Sequence, residues 1–272
     1  MKTIRNDVIG KNTLRLVDTG KGFVGLVISG GKQLSRIDGD DPEQLWVDLR
    51  ATAGRSSDAY FGFDGARSRF RQFFPDGFRS PAFKEAERDY KLKAKAKLDE
   101  AAPLEQALTC SDLGEAVLSV YRGTNLLSPF EKTRLQPLLR GPDADAFIQA
   151  AAHFTIGEIA PALATMERLL LKHDNAKWTV VTYLPFLWRP EDHMFLKPMV
   201  TQEFAERVGH PFVHDYSPTL DPAVYASLCD LMAQTRRDVA DLEPHDNIDL
   251  QSLVWIVGEY KEDDVPIATQ TG

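Results

Sequence analysis

TLRLVDTGKGFVGLVISGGKQLSRIDGDDPEQLWVDLRATA, residues 13–53, begins as three short β-prone runs and ends as a helix. The runs TLRLV, GFVGLVIS and KQLSRID are separated by Thr19-Gly20-Lys21-Gly22 and Gly30-Gly31, the punctuation of a small antiparallel meander. Asp41-Pro42 then offers an N-cap followed by proline at the first helical position, and EQLWVDLRATA continues as a short amphipathic helix. So small a meander needs a covering layer. The expected first unit is therefore 1–54, a meander plus helix packed on a larger body.

Beyond it, residues 55–80 (RSSDAYFGFDGARSRFRQFFPDGFRS) are rich in aromatics and broken by glycine and proline, too irregular for one long helix. Helices dominate from there. Ser80-Pro81 opens one through about Leu98, and Ser111-Asp112 opens a second. Ser128-Pro129-Phe130-Glu131 opens a third with glutamate in the capping-box position, and Gly141-Pro142 closes it. Further helical patterns run over 143–153, 157–172 and 177–188. One starts at Pro198 and stops at Gly209, one runs from Asp221-Pro222 to about Leu242, and one spans Asn247–Val257. The expected fold class is α+β, mostly α: a helical, bundle-like domain over 55–260, the N-terminal meander, and a tail over 261–272.

With 272 residues, 43% hydrophobic and 26% charged, the chain has the composition of a globular protein that buries a substantial core. No apolar stretch reaches the length of a membrane span, and the N-terminus has no apolar signal region. Cys110 and Cys229 are far apart and form no CxxC, which points to a reduced, cytoplasmic protein. P-loop, GxGxxG and GxSxG motifs are absent. Pro211 between His210 and His214 argues against a helical zinc pair, so neither a metal nor a cofactor is expected.

The clearest anomaly is local charge. The net charge is −8, yet residues 67–97 carry ten basic and four acidic residues, next to a run of aromatics. Cations that track a phosphate backbone and rings that stack on bases are what a nucleic-acid surface needs. Arg67, Arg69, Arg71 and Lys91 are candidate DNA contacts, with Phe73 or Phe74 as the ring that fills a vacated stack. The alternative is a solvated helix face over core aromatics. A second anomaly is Lys197, set between apolar neighbours just before a helix N-terminus. Burial and the positive helix end both lower a lysine pKa, as Schiff-base chemistry requires, although a surface lysine with a buried stem fits the same residues. Asp246 and Asp249 open the last helix as N-cap and N3. Asp249 is also a candidate catalytic carboxylate, as is Asp192. Gln251, Asn125, Trp188 and His193 are candidate pocket residues, and Asn125 could read a base edge.

The blocks YFGFDGARSRFRQFFPDGF, ERDYKLKAKAKL, NLLSPFEK, PEDHMFLKPMVT and IDLQSLVWIVGEY resemble an uncharacterised bacterial protein family. The layout of Trp178–Gly209 is also similar to DNA glycosylases of the helix-hairpin-helix type, with Asp192-His193-Met194-Phe195-Leu196-Lys197 in their Asp-x-Phe segment. Two departures stand out. His173-Asp174-Asn175-Ala176 replaces the hairpin's Leu-Pro-Gly-x-Gly, and the catalytic aspartate column falls on Lys197 or Pro198. The resemblance implies base flipping and N-glycosidic cleavage on DNA, with phage-defence glycosylases that remove glucosylated hydroxymethylcytosine as relatives. On that reading the arginine-bearing loop and Lys197 face one cavity. Lys197 forms a Schiff base, or a carboxylate such as Asp249 or Asp192 stabilises the oxocarbenium ion. The alternative is a non-catalytic nucleic-acid-binding or adaptor protein of a defence or repair locus.

Overall fold

The computed structural model describes residues 2–9, 12–54, 59–109 and 111–261. Cys110, residues 55–58 and the tail from 262 onward lie outside them. The chain divides into two compact units. One comprises Met1–Ala66 and Gln202–Tyr216, the other Arg67–Thr201 and Ser217–Gly272. Mostly helical with one antiparallel sheet among the described residues, the protein is α+β in the expected sense.

In the first unit β1 (Lys2–Ile9), β2 (Asn12–Asp18), β3 (Phe23–Ser29) and β4 (Lys32–Gly39) pair in sequence order, each antiparallel to the next. Ser29 pairs with Lys32 across Gly30-Gly31, both at positive φ. That is the two-residue turn whose twist suits a hairpin. Helix α1 (Pro42–Gly54) starts where expected, with Asp41 Oδ1 accepting from Glu43 N at 2.9 Å. It covers one sheet face: Leu45, Trp46, Leu49 and Ala53 pack on Leu14, Leu16 and Val27. Gly25 lets Leu49 approach the strand, since a Cβ there would lie 3.1 Å from Leu49 Cδ1.

α2 (Gly62–Phe73) leads into the second unit, where the chain continues through α3 (Pro81–Phe83) and α4 (Asp89–Ala101). Ser80 caps α3, and a π-helical turn, Lys84–Arg88, joins α3 to α4. Such a widened turn inside a helix is frequent at functional sites. There follow α5 (Leu104–Ala107), α6 (Gly114–Arg122), α7 (Pro129–Leu139), α8 (Ala144–Thr155) and α9 (Ile159–Leu171). Then come α10 (Trp178–Val181), α11 (Tyr183–Trp188) and the start of α12 (Pro198–Val208), whose residues from Gln202 onward belong, with α13 (Phe212–Asp215), to the first unit. α14 (Pro222–Asp238) and α15 (Asn247–Glu259) are the last helices among the described residues.

Two expected helices are divided. The segment 177–188 breaks at Thr182, because Pro185 has no N–H to give the carbonyl four residues back. The helix from Pro222 ends at Asp238 and tightens into a 3₁₀ turn, Ala240–Leu242. In the core of this unit, α11 packs on α4 and α8, α6 on α4 and α7, and α15 on α14 and the π turn. No helix among the described residues is long and apolar enough to cross a membrane.

Candidate active site

Four segments of the second unit converge on one cavity of about 250 Å³, lined by Ala86, Glu87, Tyr90, Asn125, Leu126, Lys197, Gln251 and Trp255. The π turn and the start of α4 supply Ala86, Glu87 and Tyr90, while α15 supplies Gln251 and Trp255. Each wall is fixed by bonds that follow from local sequence. Asp246 caps α15 through Ile248 N and Asp249 N. Its carboxylate then receives Arg88 Nη1 and Nη2 at 2.9 and 2.7 Å, while Arg88 Nη1 also reaches Asp249 Oδ1 at 2.6 Å. This clamp ties α15 to the π turn, one residue from Glu87. Burial alone would raise the Asp246 pKa, but the Arg88 hydrogen bonds and charge hold it below the usual carboxylate range.

The loop carrying Asn125 closes on the capping box of α7. Ser128 Oγ accepts from Glu131 N, and Glu131 Oε2 accepts from Ser128 N at 2.7 Å. Glu131 is buried, its other oxygen accepting from Thr179 Oγ1 at 2.6 Å. Ahead of α12, Thr182 Oγ1 holds Leu196 N at 3.0 Å, and Thr201 returns a bond to the Lys197 carbonyl.

Lys197 places its ammonium 3.8 Å from the centroid of the Trp255 ring. Burial lowers its pKa, opposed by Glu259, Glu131 and Glu87. Behind the cavity Lys91 is fully buried, donating to Ser252 Oγ at 2.7 Å and to Glu87 Oε2 at 3.3 Å. Burial brings its pKa down to about 8 against the pull of Glu87. Tyr260 Oη donates to the other Glu87 oxygen at 2.7 Å, so the carboxylate is held from both sides. Burial pushes the Tyr90 phenol above its ordinary range. The cavity therefore combines a primary amine easier to deprotonate than a surface lysine, an oriented carboxylate, two carboxamides and two aromatic rings.

Comparison with family models, with curated proteins and with solved structures finds no match.

Of the residues singled out in the sequence, Lys197, Asn125 and Gln251 meet in this cavity. The arginines and phenylalanines do not line it. Arg69 donates to the carbonyls of Val257 and Tyr260 at the C-terminal end of α15, and Arg67 to the Asp238 carbonyl. Arg71 pairs with Asp241 at 2.8 Å. Phe73 and Phe74 are core residues, Phe74 packing with Phe70 and Phe83. Lys91 points inward and presents no charge to a phosphate. Asp249 is 0% exposed, taken up by Arg88 and by His245 N and Nδ1, which makes it part of the clamp rather than of the cavity. Asp192 is exposed in the turn after α11. Trp188 donates to the Ala102 carbonyl, and His193 lies buried between Tyr225 Oη and the Thr155 carbonyl. Among the described residues no group of three or more His, Cys, Asp or Glu could hold a metal ion.

Sequence reasoning passed over Glu87, Tyr90 and Trp255. A signal for Glu87 exists: Phe83, Glu87, Lys91, Ala94 and Leu98 recur at helical spacing and are all buried. The two charged members of that stripe must face each other inside the protein.

Proposed function

We propose that this chain is a DNA glycosylase in which Lys197 is the nucleophile and the cavity receives the extruded base. The carrying observation is the meeting of Lys197, Glu87, Tyr90, Trp255, Asn125 and Gln251 around a space near the lower end of small-molecule sites, roughly 300 Å³. A space of that size suits a single planar ring. Lys197 Nζ attacks C1′ of the extruded nucleotide. The new N–C1′ bond forms as the C1′–base bond breaks, its electron pair leaving with the base. Loss of the ammonium proton and opening of the sugar ring then give the imine. Glu87, anchored by Lys91 and Tyr260, faces the positive charge that develops at C1′. The substrate base is a modified one; with room in the cavity for one planar ring, the sugar of a base such as glucosylated hydroxymethylcytosine lies outside it.

With Arg67, Arg69 and Arg71 committed to carbonyls and to Asp241, the DNA grip falls to other cations. Lys93, exposed and three residues after Tyr90, extends the same helix face outward from the cavity, whereas Lys97, one turn further on, donates to the Ser119 carbonyl at 3.0 Å. An adaptor would have no use for a desolvated amine in a lined cavity, which favours the enzyme. The test is borohydride trapping on DNA containing an abasic site and on heavily modified phage DNA. A covalent adduct formed by the wild type and absent in Lys197→Met supports the proposal. Absence of an adduct in the wild type, or its persistence in Lys197→Met, refutes it.

A further inference from the structure

Gln251 is 5% exposed and lines the cavity, yet its Oε1 has no hydrogen-bond partner. Its neighbours on α15 are in the opposite condition. Asn247 binds the His193 carbonyl and Arg236, Asp249 binds Arg88 and His245, and Ser252 binds Lys91 and the Ile248 carbonyl. A buried carboxamide oxygen left without a donor lowers stability and is rare unless a ligand completes it. We infer that Gln251 is a specificity-determining residue: its carboxamide reads a planar heterocycle that carries an N–H donor beside a ring or carbonyl acceptor. Oε1 accepts the ligand N–H while Nε2 donates to the adjacent acceptor, the bidentate pairing a primary amide makes with such an edge. Tyr90 and Trp255 supply ring surface in the same cavity, and Asn125 adds a second amide at its exposed side. A ring with acceptors alone leaves Oε1 unpaired and is rejected for that reason.

The inference deepens the glycosylase reading by naming what the cavity selects, and it is tested without DNA. Two probes differ by one amino group: pyrimidine, and 4-aminopyrimidine, which sets a donor beside a ring nitrogen. Binding to the full chain is followed by NMR titration. The wild type should bind 4-aminopyrimidine at least tenfold more tightly than pyrimidine, and Gln251→Leu should reduce that ratio to within twofold. If the leucine variant does not fold, Gln251→Met serves instead. It keeps the length of the side chain, removes both the acceptor and the donor, and should likewise abolish the preference. Equal binding of the two rings by the wild type, no binding of either, or a preference that survives in the folded variant overturns the inference. Borohydride trapping reports separately on Lys197. A ring preference without an adduct removes the glycosylase reading alone, and an adduct without a ring preference removes this one alone.

Discussion

Arg88→Met breaks the clamp that joins α15 to the π turn. In the wild type the guanidinium makes three bonds of 2.6 to 2.9 Å to Asp246 and Asp249, and its side chain is 13% exposed. Removing one partner of such a buried pair costs about 3–5 kcal/mol, because the carboxylates stay buried without their cation. Both keep backbone N–H donors, Asp246 from Ile248 and Asp249 from His245, which sets the expectation near the lower bound, about 3 kcal/mol. At roughly 2–4 °C per kcal/mol for a chain of this size, the melting temperature should fall by about 6–12 °C. The assay is urea denaturation followed by tryptophan fluorescence, repeated from pH 7 down to pH 3. The folded pKa of Asp246 lies below its unfolded value, so the stability that the pair confers is complete above the ordinary carboxylate pKa of about 3.9 and disappears as pH falls through the lower folded value. The gap between wild type and Arg88→Met should therefore narrow in acid. A loss under about 1 kcal/mol at pH 7, the range of exposed pairs, or a gap indifferent to acid would refute this account.

Two further outcomes follow. The folded pKa of Lys91, about 8, lies below its ordinary 10.5, so the native state releases that proton first. Between these values wild-type stability should gain with pH relative to Lys91→Met, while the Cys229 thiol, pushed up to about 11 by burial, lowers the stability of both proteins alike above about pH 9; parallel urea midpoints of the two proteins over pH 7.5–10.5 would count against it. In the first unit, Leu49→Ala removes the fully buried side chain that sits against Gly25 and should cost about 2–5 kcal/mol. Hydrogen exchange in β2 and β3 should accelerate accordingly, and unchanged protection would show that α1 contributes little to the sheet.

Much of the fold was legible because its boundaries are local chemistry. Ser80, Ser128, Asp221 and Asp246 each cap the helix their sequence announces, and Gly30-Gly31 makes the turn it suggests. The site was legible only where a residue was odd in its own neighbourhood. Lys197 among apolar neighbours and Gln251 at the start of an apolar run were visible in that way. The arginine stretch misled because a guanidinium suits a peptide carbonyl as well as a phosphate, and only the tertiary structure shows that helix ends occupy Arg67 and Arg69. Lys91, Lys93, Lys95 and Lys97 read alike along the chain. Helical rotation turns Lys91 into the core and leaves Lys93 in solvent, a distinction that the buried stripe reveals and the charge count conceals.

The π turn at Lys84–Arg88 has a bearing on how this scaffold could diverge. A widened turn holds an extra residue relative to a regular helix, which sets the segments on either side out of phase by about 100°. Deleting a single codon there would restore continuous α geometry and preserve every helix in the unit. Taken from between Glu87 and Lys91, that residue would also change the four-residue spacing that pairs their side chains. Loss or gain of chemistry on this architecture could thus come from an indel of one, leaving the helical frame unchanged.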